Sequence, residues 1–213
     1  MKSIGVWWSV ATSIAIAARV LAATPQAIFA HFDISRPVPY FIGDGKSKTG
    51  FRATDTELAR WALEDWQRSS GQAIRFEPAP ESSSLVRLYW AEPSEGQYGE
   101  MKPIIVDQRL GAAVYVRPDM GSLGPDVAEA AARDPLLRDS IVYLTCVHEL
   151  GHAVGMRHTS DYRDIMYFFG YGGDIPKYFG RYRSHLHSRA DISQVSGLSS
   201  GDVTRLKALY GLP

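Results

Sequence analysis

Apolar residues recur along this chain with two different periods. Behind Thr54-x-x-Glu57, Leu58, Trp61, Ala62 and Trp66 return at helical spacing, and Gly71 ends the run. That pattern predicts a helix opened by a capping box. Residues 38–42 are apolar and aromatic, broken by Pro39 and closed by Gly43-Asp44-Gly45, which predicts a first strand and turn. Residues 73–76 and 85–91 read as further strands, and 92–100 as a polar, turn-rich link. Two short strands are predicted at 104–106 and 112–116, a loop at 118–124 and a short helix at 125–133. A long apolar helix covers 139–155. Ser199-x-x-Asp202 caps a last helix with Val203, Leu206 and Leu209 on its apolar face, stopped by Gly211. Strands, a helix, more strands and a second long helix predict an α+β fold, a mixed sheet backed by two long helices.

The first 22 residues stand apart. Lys2 precedes an apolar and small-residue stretch at 4–18, Arg19 ends it, and Val20-Leu21-Ala22 offers small residues at a cleavage point. This reads as a secretory signal peptide, with an uncleaved anchor as the alternative. The stretch is too short to span a bilayer comfortably. Residues 23–36 then form a loosely held N-terminal segment, and 37–213 a single domain. No membrane span is expected after cleavage, and localisation is extracellular or periplasmic. Cys146 is the only cysteine, so an internal disulfide is impossible and no lipid anchor follows the cleavage point. It lies two residues before His148, about 200° round the same helix, and is expected to be a buried apolar residue.

Formal net charge is zero over 213 residues, so no basic excess points to nucleic acid. The informative chemistry is concentrated at residues 148–158. They read His148-Glu149-x-x-His152-x-x-Gly155-x-x-His158. Residues four apart share a helix face, so His148 and His152 point two nitrogens at one metal. Glu149 lies one residue round, within reach of a metal-bound water but not placed as a third ligand. Gly155 takes positive φ at no steric cost, lets the chain turn and brings His158 back. Three protein ligands leave a fourth tetrahedral position for water, as in a catalytic zinc site. At average residue usage the full pattern arises at roughly fewer than one in a million positions. Half of the six histidines sit here, which weighs against three unrelated surface histidines.

These residues resemble the metzincin clan of metallopeptidases, and the matrixins within it. Asp164-Ile165-Met166-Tyr167 stands where that clan has a methionine turn, with Met166 eight residues after His158. Thr159, Asp161 and the segment 198–211, LSSGDVTRLKALYG, are similar to matrixin usage. The resemblance implies a twisted five-stranded sheet, two long helices and a C-terminal helix below the cleft. It implies one catalytic Zn²⁺ on His148, His152 and His158, with Glu149 as general base and Met166 as an apolar floor. It further implies an endopeptidase whose polypeptide substrate lies against an edge strand near 101–106; with the signal-peptide reading the enzyme is expected to be secreted, and it is expected to be a monomer.

The chain also departs from the family. No histidine lies between His31 and His148, so the second, structural zinc of matrixins is expected to be absent; calcium sites are possible but unassigned. Phe168 replaces the zinc-binding tyrosine of astacins, and the proline after Met-Tyr is missing. No propeptide cysteine is available for latency. Phe41-x-Gly43-Asp44 mimics an astacin latency motif, but Asp44 is read as a turn residue. Residues 167–197 exceed the matrixin loop and are rich in aromatic and basic residues. They form either a specificity wall or an excursion packing its own aromatics, and His185-x-His187 is a lesser chelation motif within them. Two other functions remain to be weighed: a zinc amidase acting on a non-protein amide such as a peptidoglycan cross-link, and a non-catalytic zinc-binding recognition module.

Overall fold

The computed structural model describes residues 31–93 and 98–213; the signal-peptide reading of 1–22 lies outside the described residues. Five strands form one mixed sheet: β1 (Val38–Ile42), β2 (Phe76–Pro78), β3 (Val86–Trp90), β4 (Gly99–Val106) and β5 (Arg109–Val116). Their spatial order is β2-β1-β3-β5-β4. The first four run parallel, and β4 closes the edge antiparallel to β5. The β4–β5 turn is Asp107-Gln108, both at positive φ, 47° and 61°. That is the two-residue hairpin geometry matching strand twist. Asp-Gln lacks the glycine that usually marks such a turn, so the two strands look shorter in sequence than they are.

Two helices lie side by side against the sheet: α1 (Asp55–Ser69) and α3 (Pro135–Ala153), with α2 (Pro125–Arg133) before α3. α1 buries Leu58, Ala62, Leu63 and Trp66 along one face. Burial extends almost all round α3, as expected of a helix with neighbours on every side. The Trp66 indole N–H donates to the Val147 carbonyl at 2.9 Å and ties the two helices together. α3 starts four residues before the predicted 139. Asp134 is its N-cap, accepting from Leu136 N at 3.0 Å and Leu137 N at 3.2 Å, and Pro135 supplies the first turn.

The capping box at the start of α1 is not formed. Thr54 has helical φ and ψ and its side chain caps nothing. Glu57 instead pairs with Arg189. Asp55 accepts from Arg52 N at 2.9 Å and forms a buried ion pair with Arg138 of α3. Arg138 also reaches the Gly50 carbonyl at 3.0 Å, and Arg189 binds Asp139 at 2.9 Å. The strand expected at 73–76 is displaced to β2. Ile74 is fully buried, but its N–H bonds to Ser70 Oγ rather than to a neighbouring strand.

Residues 167–197 are not a plain loop. They fold into a 3-10 turn at Phe169–Tyr171, helix α4 (Ile175–Arg183) and a second turn at Arg189–Ser193. Asp174 caps α4 by accepting from Lys177 N at 2.9 Å. α4 lies against α3, with Tyr178, Phe179 and Tyr182 buried. The last helix, α5 (Ser200–Tyr210), carries the expected capping box, and Gly211 ends it at φ 63°. No helix of the described residues is long and apolar enough to cross a membrane.

Breaking the Asp55–Arg138 pair on one side leaves a buried charge alone. Arg138→Met is expected to lower unfolding stability by roughly 3–5 kcal/mol, and adding Asp55→Leu to recover part of it. Urea denaturation of the single and double variants checks this; a single-variant loss well under about 1 kcal/mol contradicts it.

Candidate metal centre

His148 and His152 project from the last two turns of α3 on one face. The helix then stops, and Gly155 takes φ 94°. Met156 N bonds back to the Gly151 carbonyl at 2.8 Å, which reverses the chain and returns His158 to the same side. The three rings offer ligand atoms that all lie within 4.8 Å of one another. His152 Nε2 stands 3.1 Å from His158 Nε2, which stands 3.3 Å from His148 Nε2. A tetrahedral zinc with bonds of about 2.0–2.1 Å sets its nitrogens roughly 3.3 Å apart. The spacing therefore fits zinc.

Protonation fits as well. His148 Nδ1 bonds to the Ile165 carbonyl at 2.6 Å and His152 Nδ1 to the Met156 carbonyl at 3.0 Å. A carbonyl only accepts, so both Nδ1 atoms carry the hydrogen and both Nε2 lone pairs face the cluster. Burial, with help from neighbouring rings, lowers His148 to about 3. Burial is also the largest cause that brings His152 to about 4 and lowers His158. All three are neutral near pH 7, the form that binds a metal. Lone pairs crowded this closely repel one another unless a cation stands between them.

Glu149 points elsewhere and takes no part in the cluster of donors. It is 6% exposed, and burial pushes its carboxyl up to about 8, with Arg117 opposing and Glu100 adding to the rise. A cation among the histidines acts in the ionising direction. The carboxylate packs against the backbone of β4 at Gly99, where any Cβ would collide with it. Neither Gly99 nor Glu100 stood out in the sequence, because the contact joins a strand to a helix far along the chain.

Met166 is fully buried. Gly151 of α3 makes room for it: a Cβ there would strike Met166 Sδ and come within 2.9 Å of Trp66. The turn carrying Met166 is held from both sides. Asp202 accepts from Ile165 N at 2.8 Å and from Ser199 N at 2.9 Å. Asp164 accepts from Thr159 Oγ1 at 2.8 Å and Ser199 Oγ at 2.6 Å, and pairs with Arg205 at 2.6 Å. Tyr178 of α4 donates to the Asp164 carbonyl at 2.8 Å. Thr159 and Asp164 resembled family usage in sequence, but their role appears only here.

The histidines and Glu149 share a cleft of about 710 Å³. Its upper wall is the start of β4, from Gly99 to Met101 and at Pro103, rather than the whole of 101–106. Its lower wall is Tyr167, Phe168, Phe169, Ile175, Tyr178 and Phe179, so the segment 167–197 packs its own aromatics and lines the cleft at once. His185 and His187 join no metal-binding group among the described residues. Cys146 is buried and free, and burial holds its thiol well above its ordinary range. It has the character of an inert core residue.

Gly151→Ala is expected to displace Met166, lower stability by about 1–3 kcal/mol and weaken zinc binding. Thermal unfolding and competition with a zinc indicator measure both. Unchanged values for both would show that Met166 does not need this gap.

Residues 36–174 match the sequence profile of the family Peptidase_M10: Matrixin. Among solved structures, archaemetzincin from Methanopyrus kandleri is 14% identical, covering 84% of this chain and 97% of its own, with a TM-score of 0.44. Myroilysin is 14% identical, covering 88% of this chain and 98% of its own, with a TM-score of 0.42. Likenesses of that strength add no argument about chemistry. The profile match runs from the first strand through the histidine motif and the methionine turn, and on it the chain belongs to the matrixin family of zinc metallopeptidases.

Proposed function

We propose that this chain is a secreted, monomeric zinc endopeptidase, with 1–22 removed on export and the catalytic domain at 37–213. The observation that carries the reading is the convergence of three neutral histidine nitrogens beside a buried carboxylate and a free sheet edge. His148, His152 and His158 would hold Zn²⁺, which when bound polarises a carbonyl and makes water a nucleophile near neutral pH.

The remaining steps belong to the protein. β4 is an edge strand of the sheet among the described residues and its start lines the cleft, so a substrate chain adds to it as a further strand. Strand addition leaves both ends of the substrate free to continue, which suits internal cleavage. Glu149 takes the proton of the attacking water and returns it to the departing amine. Its packing against Gly99 keeps that carboxylate beside the strand that holds the substrate. Tyr178, Phe179 and Ile175 form an apolar wall for a side chain next to the cleaved bond, away from bulk water.

Purified mature protein is expected to bind one zinc and to clear a casein zymogram, and to lose both on chelation. Two tightly bound zinc ions by metal analysis would overturn the single-ion reading. Glu149→Ala is expected to keep the ion and lose about 10²–10⁴-fold or more in kcat, since ligation does not use this carboxylate. Near-normal turnover in that variant would sink the mechanism. Fractionation is expected to place the protein outside the cytoplasm with residues 1–22 missing by N-terminal sequencing; cytoplasmic protein with residue 1 intact would remove the secretion reading.

A further inference from the structure

Phe168 and Tyr171 are two of the three large apolar side chains that the described residues leave exposed, at 44% and 66%. Phe168 stands at the histidine cluster, and Tyr171 stands beside Phe168. The Phe168 ring stacks on His158, with centroids 4.8 Å apart and planes 28° apart. Tyr171 meets Phe168 edge-on at 5.4 Å and 90°. The backbone fixes both rings. Phe168 N donates to the Thr159 carbonyl at 3.1 Å, and Tyr171 N to the Phe168 carbonyl at 3.0 Å. Gly170 has no Cβ, and one there would collide with the Phe168 ring, so the ring lies back over its own turn. Phe168 and Gly170 line the cleft shared by the histidines and Glu149.

An apolar ring turned to water is ordinary when it is isolated and mobile. Here two exposed rings are held against each other, and one of them is stacked on His158 and lines the cleft. Their ordering cost is met in the free protein, so a planar group stacking there loses little entropy. Aromatic partners also gain from offset and edge-on geometry beyond the area they bury, and aliphatic ones do not.

We infer that Phe168 and Tyr171 form a platform that selects an aromatic side chain of the polypeptide substrate close to the scissile bond. This rests on the peptidase reading above and adds a specificity element to it. A ring packed against the exposed part of Phe168 lies up to two ring layers from His158, roughly 4–5 Å each. That distance, roughly 8–10 Å, places the side chain within about three residues of the reacting carbonyl, given a reach of about 3.4 Å per extended residue.

Cleavage profiling on a peptide library tests this with the zinc-loaded protein. One position flanking the bond is expected to favour Phe, Tyr or Trp over Leu. Tyr171→Ala and Phe168→Leu are each expected to cut the aromatic-to-leucine ratio of kcat/KM at that position about tenfold, with zinc content checked in each. A second arm measures anisotropy of the same labelled peptides binding zinc-loaded Glu149→Ala protein, with and without Tyr171→Ala. It reads the platform without hydrolysis. Aromatic preference in binding that Tyr171→Ala abolishes, with no cleavage by the unmutated protein, upholds the platform while the peptidase reading falls. No aromatic preference in either arm, or one unaltered by both substitutions, overturns the inference.

Discussion

The backbone of Ile165 is gripped on both sides of its Cα, and the geometry of the histidine cluster hangs on that grip. Its N–H donates to Asp202 Oδ2 at 2.8 Å, and its carbonyl accepts from His148 Nδ1 at 2.6 Å. One residue thus joins the cap of α5 to the first histidine of α3. Asp202 is fully buried, and a buried carboxylate is stable only when its lone pairs are engaged. Ile165 N, Ser199 N and Arg205 engage them. The same capping box that starts α5 therefore aligns the methionine turn. Charge-assisted bonds of this kind are short and directional, so the turn has little freedom to slide beneath the histidines. His158 depends on the same arrangement one step removed, because Thr159 N bonds to the Met166 carbonyl at 2.8 Å.

Packing sets the second constraint. α3 cannot approach the methionine turn closely unless position 151 lacks a side chain, since Met166 and Trp66 fill that volume. Trp66 is itself fixed by its bond to the Val147 carbonyl one turn earlier. The helix bearing His148 and His152 is thus located by α1 behind it and by Met166 beneath it. Close-packed interiors transmit small volume changes, so the distance between the histidines follows from residues that never touch a metal.

Local signals were legible in the sequence, and long-range ones were not. The spacing 148–152–158 with Gly155 carried the cluster, and periodicity carried α1, α3 and α5. Ser199-x-x-Asp202 was readable as a cap, but nothing nearby announced that Asp202 also holds Ile165, 37 positions away. The box at Thr54 failed for a related reason. Asp55 is committed to Arg138, 83 positions along, and Glu57, the box's second member, is engaged by Arg189 from a distant segment. α4 was missed despite usable signs. Asp174 and Pro176 mark a helix start, and Tyr178 and Tyr182 recur at four residues. The aromatic richness of the segment masked its period. The hairpin at Asp107-Gln108 was hidden because neither residue is glycine.

The segment after the methionine turn couples two tasks that sequence reading set apart. Tyr178 packs in the cleft wall, and its hydroxyl donates to the Asp164 carbonyl and, at 3.3 Å, to that of Ile165. The latter carbonyl is the one that orients His148. A side chain pressing on this wall therefore acts on the residue that sets the direction of an imidazole lone pair. Phe168 makes the same connection from the other side through its stack on His158. Wall and cluster share atoms, so residues chosen for what the cleft accepts also tune how firmly the histidines are held. That sharing accounts for aromatic residues packing among themselves and facing the cleft in a single element. Aliphatic residues would fill the volume but would offer neither the hydroxyl to the turn nor the ring to His158.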